Sequence, residues 1–196
     1  FLFLTPNHFV VFDRVIATRA EYSKTWLLHT QNEPVVSGDT FHCDEGGGRL
    51  FCRTLLPVGA ELCKVGGSGR EFWANGRNWE HNDAFKKSQQ DFLARTGKEM
   101  LLGKWRMEIS PSTPNREDCF LHVIQVGDES LEEMDNTSTV EHADAIEVRI
   151  QTADRNICVV LNTVGDVGGR IEIDGVEGRI DQPLAKSVMP QSSLNV

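Results

Sequence analysis

The sequence predicts an all-β protein: an antiparallel β-sandwich of stacked sheets with one short helical insertion. Most of its apolar runs are short and rich in Val, Ile, Phe and Trp, which is typical of strands. The 17 glycines and 7 prolines interrupt the chain often, as turns between many short strands require. The repeated helices that parallel βαβ units need between their strands are not seen, so antiparallel sheets packed face to face are expected.

The apolar runs place the strands in order along the chain. We predict strands at residues 8–17, 24–30, 33–36, 39–43, 49–56, 60–65, 71–74, 104–110, 117–126, 145–151, 156–162, 169–173 and 176–180. Gly46-Gly47-Gly48 and Asp174-Gly175 mark tight turns, because glycine tolerates positive φ, and Asn75-Gly76 ends the strand at 71–74.

One segment has the pattern of a helix, from Asp83 to Thr96. Asn82 or Asp83 can cap its start and Gly97 its end. Phe85, Phe92 and Leu93 fall on one side at i, i+7 and i+8, so this helix is expected to lie on the surface of the sheets.

These elements predict four regions. Residues 1–126 form the main β-sandwich region, and 127–144 form an acidic, mobile loop. Residues 145–181 hold further strands that complete the sandwich, and 182–196 form a loose tail.

The net charge of −9 argues against nucleic-acid binding, which needs a basic face. No apolar stretch is long enough to span a membrane. The chain begins at Phe1 with a short apolar run and no basic residues before it, so no signal peptide is expected. This abrupt start favours a domain of a larger protein.

The five cysteines contain no C-x-x-C pair, and their odd number leaves at least one thiol unpaired within the chain. Each lies in or beside an apolar run, so mostly free, buried thiols are predicted. A bridge between Cys43 and Cys52 is the alternative.

The segment from Lys64 to Trp79 is the best candidate for a binding site. Arg70, Trp73, Arg77 and Trp79 lie there among glycines. Aromatic faces stack on sugar rings, and guanidinium groups bind carboxylate or sulfate with paired hydrogen bonds. For Trp73 itself, packing in the core or between sheets is the favoured interpretation. The Gly-rich stretch lacks the lysine and following helix of a phosphate-binding loop.

Other polar residues give weaker hypotheses. His42 and Asp44 share a strand face and could form half of a metal site, but zinc needs three or four ligands. His29 and His122 fit buried histidines that hydrogen-bond backbone groups better than catalytic groups, since no nucleophile or carboxylate partner is evident. We therefore predict no catalytic residue, no metal ligand and no cofactor.

Three blocks of the sequence occur in one order within about residues 7–126: HFVVFDRVIATRAEYSKTWLLHTQNEP, GGGRLFCRTLLPVGAELCKVGGSGREFWANGRNW and WRMEISPSTPNREDCFLHVIQV. Together they resemble the C-terminal β-sandwich region of heparinase II/III-like polysaccharide lyases. None of the blocks is a catalytic motif. Tyr22, the one tyrosine, lies in a polar turn and does not match a catalytic pattern.

The resemblance implies a larger periplasmic or secreted enzyme with an N-terminal α/α toroid, which cleaves uronate-containing polysaccharides by β-elimination. This chain would be its non-catalytic β-sandwich domain, which supports the toroid and could line the cleft for an anionic polysaccharide. The alternatives are a free-standing carbohydrate-binding module, a structural or interaction domain, and a complete small lyase whose site is not visible in the sequence.

Overall fold

A computed structural model of the chain describes residues 1–176 and 178–184. Within them lie sixteen strands and one helix, and all the strand pairs are antiparallel. The predicted all-β class is confirmed. The chain divides into two compact units, Phe1–Glu132 (unit 1) and Glu133–Val196 (unit 2). Among the described residues there is no helix with the length and apolarity needed to cross a bilayer.

Unit 1 is built from a six-stranded sheet, a three-stranded sheet and a small hairpin. Its strands are β1 Leu2–Leu4, β2 His8–Ile16, β3 Trp26–Thr30, β4 Val35–Ser37, β5 Thr40–Glu45, β6 Gly48–Leu56, β7 Glu61–Gly66, β8 Trp73–Ala74, β9 Arg77–Asn78, β10 Trp105–Ser110 and β11 Glu117–Asp128. The larger sheet has the order β1-β2-β11-β6-β5-β4, and the smaller has the order β3-β10-β7. The hairpin pairs β8 with β9.

The core of unit 1 lies between these two sheets. Ile124, Cys52 and Phe41 lie in one row across β11, β6 and β5. They pack with Met107 and Ile109 of β10, and all five side chains are buried. The contact between the two sheets is the packing of a β-sandwich, as predicted.

The helix α1 spans Asp83–Thr96, the bounds predicted from its caps. Asn82 Oδ1 accepts a hydrogen bond from the Phe85 N–H at 2.8 Å. Gly97 adopts φ 68° and donates its N–H to Leu93 O at 2.8 Å. No residue of α1 is buried, so the helix does not bury the apolar side that the sequence suggested. Its ends are therefore held mainly by local capping.

Replacing Asn82 with alanine should loosen the first turn of α1 by about 1 kcal/mol, because the Phe85 N–H loses its acceptor. Hydrogen exchange at Phe85 and Lys86 should become about fivefold faster. Asn82→Asp keeps an acceptor and should keep the slow exchange. Equal exchange rates in Asn82→Ala and the wild type would show that the cap contributes nothing.

Unit 2 is a single antiparallel meander. Its strands are β12 Asn136–Glu141, β13 Ala145–Gln151, β14 Arg155–Asn162, β15 Gly169–Gly175 and β16 Gly178–Pro183, paired in sequence order. One face of this sheet is apolar and buried, with Val148 and Val159 fully covered. The opposite face is polar. This alternation is the period-two pattern of strands with one buried face.

Unit 2 differs from the predicted regions in three ways. The loop expected at 127–144 is too long, since β11 runs to Asp128 and β12 occupies Asn136–Glu141. The strands expected to complete the main sandwich instead form a sheet of their own with β12, because each pairs with its neighbour in sequence. The tail predicted at 182–196 begins inside β16, and residues 185–196 lie outside the described residues.

Candidate functional site

The Gly-rich segment that precedes the candidate binding residues packs closely against Trp105. β7 ends at Gly66, which pairs with Trp105 of β10. A Cβ atom on Gly66 would lie 2.5 Å from Lys104 O, and one on Gly67 would lie 2.8 Å from the Trp105 ring. Only glycine allows the backbone to approach the indole this closely. The Gly-rich stretch is thus a packing feature that sets where the next residues begin.

Residues 70–79, here named the Arg–Trp hairpin, follow directly. Trp73 pairs with Asn78 and Ala74 with Arg77, so the turn contains only two residues. These are Asn75 with φ 52° and Gly76 with φ 79°. Two successive positive φ values are those of a type I′ turn, whose twist matches that of paired strands. The Asn-Gly dipeptide therefore closes the hairpin.

Side-chain hydrogen bonds hold the base of the Arg–Trp hairpin. Asn78 Oδ1 accepts from the Phe72 N–H at 2.8 Å, and Asn78 Nδ2 donates to Glu71 Oε2 at 3.3 Å. The pKa of Glu71 is lowered, first by a hydrogen bond from its own backbone N–H, and also by those from Gly69 and Asn78. Glu71 is therefore ionised at neutral pH, and it serves to order the hairpin.

Both arginines of the hairpin stack on tryptophans. Arg77 Cζ lies 3.4 Å from the centroid of the Trp79 ring, and Arg70 Cζ lies 5.0 Å from that of Trp73. Trp79 is 45% exposed, and its Nε1 donates to Ala74 O at 3.0 Å, which fixes the indole. A guanidinium over an indole face is a cation–π contact.

The two Arg–Trp pairs do not form one continuous surface. Neighbouring residues of a strand point to opposite faces, so Arg77 and Trp79 share one face while Trp73 lies on the other with Asn78. The structure thus brings the four predicted residues into one hairpin but separates them into two pairs. Trp73 is half-buried and is not one of the buried core residues, so the structure does not place it in the core.

The Arg77–Trp79 pair is the more accessible of the two. Both residues are exposed. Among the residues that the structure describes, neither Arg70 nor Arg77 forms an ion pair with a carboxylate. Stacking leaves the N–H edges of the Arg77 guanidinium open, and this edge is the part that binds a carboxylate or sulfate with two hydrogen bonds. The chemistry available here is binding of an anionic group beside a planar apolar ring.

Tilted ring contacts connect the Arg–Trp hairpin to α1. His81 lies between Phe72 and Phe85, with ring centroids 4.2 Å and 4.4 Å away and the rings inclined by 56° and 47°. Phe72 belongs to the hairpin and Phe85 to the first turn of α1. The sequence analysis predicted neither these ring contacts nor the role of Asn78, although His81 at the helix start was a usable signal.

The weaker candidates have other roles. Asp44 forms a bidentate pair with Arg49, at 2.7 and 2.8 Å, which occupies its carboxylate. His122 is fully buried, stacks on Trp26 at 3.8 Å and hydrogen-bonds Thr54 Oγ1 at 3.2 Å, so its partner is a side chain and not the backbone. In the described part of the chain, no three His, Cys, Asp or Glu residues are placed to hold a metal ion.

All five cysteines are free, so the alternative Cys43–Cys52 bridge is not formed. Cys43 and Cys52 are buried, as predicted, but Cys63 is exposed. Burial raises the pKa of the Cys43 thiol, and burial likewise raises that of Cys119. These two thiols are therefore protonated at neutral pH and behave as small apolar groups.

No family model matches this chain, and no curated protein matches it significantly.

Proposed function

We propose that this chain is a non-catalytic β-sandwich part of a polysaccharide lyase and that its Arg–Trp hairpin contacts a uronate-containing glycan. The Arg77–Trp79 stack carries the proposal, because it offers an indole ring and an anion-binding guanidinium edge side by side on an exposed face. A uronate unit has the matching parts, a sugar ring and a carboxylate.

The local charge fits this ligand better than the net charge does. A chain of net charge −9 repels a polyanion at long range, so binding requires a local cationic site. Arg77 supplies that charge on the exposed face of the hairpin, and the described residues give it no carboxylate partner. Contact with such a glycan should therefore weaken as salt is added.

The parent enzyme is the second element of the proposal. The three ordered sequence blocks favour a heparinase II/III-like lyase, secreted or periplasmic, whose proton-transfer residues come mainly from an N-terminal toroid and from early strands of the β region. β-Elimination needs a base for the C5 proton, an acid for the leaving oxygen and a group that neutralises the carboxylate. This chain would supply none of the three groups, and its hairpin would contact the bound glycan as one wall of the cleft.

Titration with uronate oligosaccharides tests the hairpin. Arg77→Ala and Trp79→Ala should each weaken binding by about tenfold, the loss expected for one charge-assisted contact or one stacked ring. Arg77→Lys keeps the charge without the paired N–H groups and should fall between Arg77→Ala and the wild type.

Arg95→Ala is the matched control, because Arg95 also lies over an aromatic ring, that of Phe92 at 5.9 Å, but on α1. It should bind like the wild type. Equal affinity of Arg77→Ala and the wild type would refute the contact. The intact mass of the natural polypeptide tests the parent: a mass near 21.9 kDa would exclude an attached toroid and favour a free-standing carbohydrate-binding module.

A further inference from the structure

The polar face of the sheet in unit 2 forms an open groove of about 400 Å³. Residues from all five strands line it, and they include two complete rows across the sheet. One row is Asn136, Gln151, Asn156, Asp174 and Arg179, and the other is Ser138, Arg149, Cys158, Glu172 and Asp181. All of these except Asp181 line the groove. The first row is here named the amide row.

From this groove we infer a second binding site, on unit 2, for an uncharged oligosaccharide. It goes beyond the anionic contact proposed for the Arg–Trp hairpin, since it lies on other strands and takes a ligand of different charge. Three properties of the groove support it: the hydrogen-bonding groups of the amide row, their spacing, and the balance of charge.

The amide row has hydrogen-bonding capacity that the protein does not use. Within residues 1–176 and 178–184, the side chains of Asn136, Gln151, Asn156 and Asp174 make no hydrogen bond or ion pair. An amide offers two donors and an acceptor, and a sugar hydroxyl both donates and accepts. Neutral hydroxyl groups are therefore the natural partners of this row.

The spacing of the row suits a chain of sugars. Neighbouring strands lie roughly 4.8 Å apart, so a row of five side chains extends for about 19 Å. An extended glycan advances by a similar step with each sugar unit. A glycan that crosses the strands would meet one polar side chain for each sugar, whereas a peptide would pair along the edge of the sheet.

The charge of the groove disfavours a polyanion. Arg149 Nε donates to Glu147 at 2.5 Å, and Arg179 lies 3.5 Å from Glu172. Asp174, which lies opposite Arg179 in the pairing of β15 with β16, adds a further negative charge. Burial, with Glu147 and Glu172, raises the pKa of the Cys158 thiol to about 11, so this thiol of the groove lining is uncharged at neutral pH. This groove should therefore repel a polyanion, whereas the Arg–Trp hairpin should bind one.

NMR titration of the labelled chain with cellohexaose, mannohexaose and chitohexaose tests the inference. At least one of them should shift the side-chain amide signals of Asn136, Gln151 and Asn156, while uronate oligosaccharides of the same length should not. About 10 mM sugar suffices, since that concentration nearly fills a site with a Kd near 1 mM. No shift of these signals by any neutral hexasaccharide would overturn the site.

A double variant separates binding from folding. Gln151→Ala with Asn156→Ala removes two amides from an exposed surface, where substitutions change stability little. The double variant should weaken the affinity for the neutral sugar by at least ~10-fold and leave uronate binding at the hairpin unchanged. Gln90→Ala removes an exposed amide from α1 and should change neither. Unchanged affinity in the double variant would refute the role of the amide row, whatever the hairpin binds.

Discussion

Gly66→Ala is expected to destabilise the protein by about 3 kcal/mol, through overpacking against β10 and a strained backbone. The added Cβ would lie 2.5 Å from Lys104 O and 2.7 Å from Trp105 Cα. Both are backbone atoms at the start of β10, Lys104 just before it and Trp105 its first residue, so neither can move aside without disturbing the pairing of β7 with β10. Gly66 also has φ 158°, a backbone conformation that residues with a side chain rarely adopt.

Gly69→Ala in the same Gly-rich stretch provides the control. Gly69 has φ 76°, but a Cβ there would meet nothing within 4 Å, so its cost is backbone strain alone, about 1 kcal/mol. Denaturant unfolding followed by tryptophan fluorescence measures both variants, since all four tryptophans belong to unit 1. Equal stability of the two variants would show that the close approach to Trp105 has no energetic consequence.

Local signals explain what the sequence predicted well. The bounds of α1 follow from Asn82 and Gly97, which act within one turn of the helix. The Asn75-Gly76 turn follows from two residues that tolerate positive φ. In each case the determining residues are adjacent in sequence to the element that they define, so no tertiary contact is needed to place it.

The features that the sequence did not predict depend on neighbours distant in sequence or on weak local preferences. β12 is rich in Thr and Ser and buries only Thr137, because an edge strand can be held by hydrogen bonds to β13 alone. The turn expected at Asp174-Gly175 lies further on, since Gly175 pairs with Gly178. A Cβ on Gly175 would lie 2.4 Å from Arg155 Cγ, so this glycine serves a close approach to β14.

One candidate site depends on residues close together in the sequence, and the other depends on residues from separate strands. Sequence proximity placed Arg70, Trp73, Arg77 and Trp79 in one segment, and the structure keeps them together. Only the register of the hairpin separates them into two faces. The amide row was not predicted at all, because its members come from five strands spread over residues 136–179. A site of that kind becomes visible only once the strand pairing is known.

Acidification from pH 6.5 to pH 4 should lower the free energy of unfolding by on the order of 3 kcal/mol, because of His122. Burial lowers the pKa of His122 from its usual 6.5 to about 4. The unfolded chain therefore binds a proton that the folded protein excludes in this range. The stability that depends on neutral His122 is fully present above pH 6.5 and is lost progressively as the pH falls toward 4.

The geometry explains why the imidazolium is excluded. His122 lies in the interior of unit 1, with its ring 3.8 Å from that of Trp26 and one nitrogen bonded to Thr54. Among the described residues, its Nε2 atom has no hydrogen-bond partner. A second proton would place an uncompensated charge between the two sheets, and burying this charge costs far more free energy than burying the neutral ring.

Denaturant unfolding of His122→Phe and the wild type at several pH values between 7 and 4 measures the effect. The variant keeps an aromatic ring against Trp26 but cannot titrate, so its stability should fall less steeply with acid. Thr54→Ala removes the hydrogen bond while keeping the imidazole, and should keep the steep pH dependence. Parallel curves for His122→Phe and the wild type would assign the acid sensitivity to other groups.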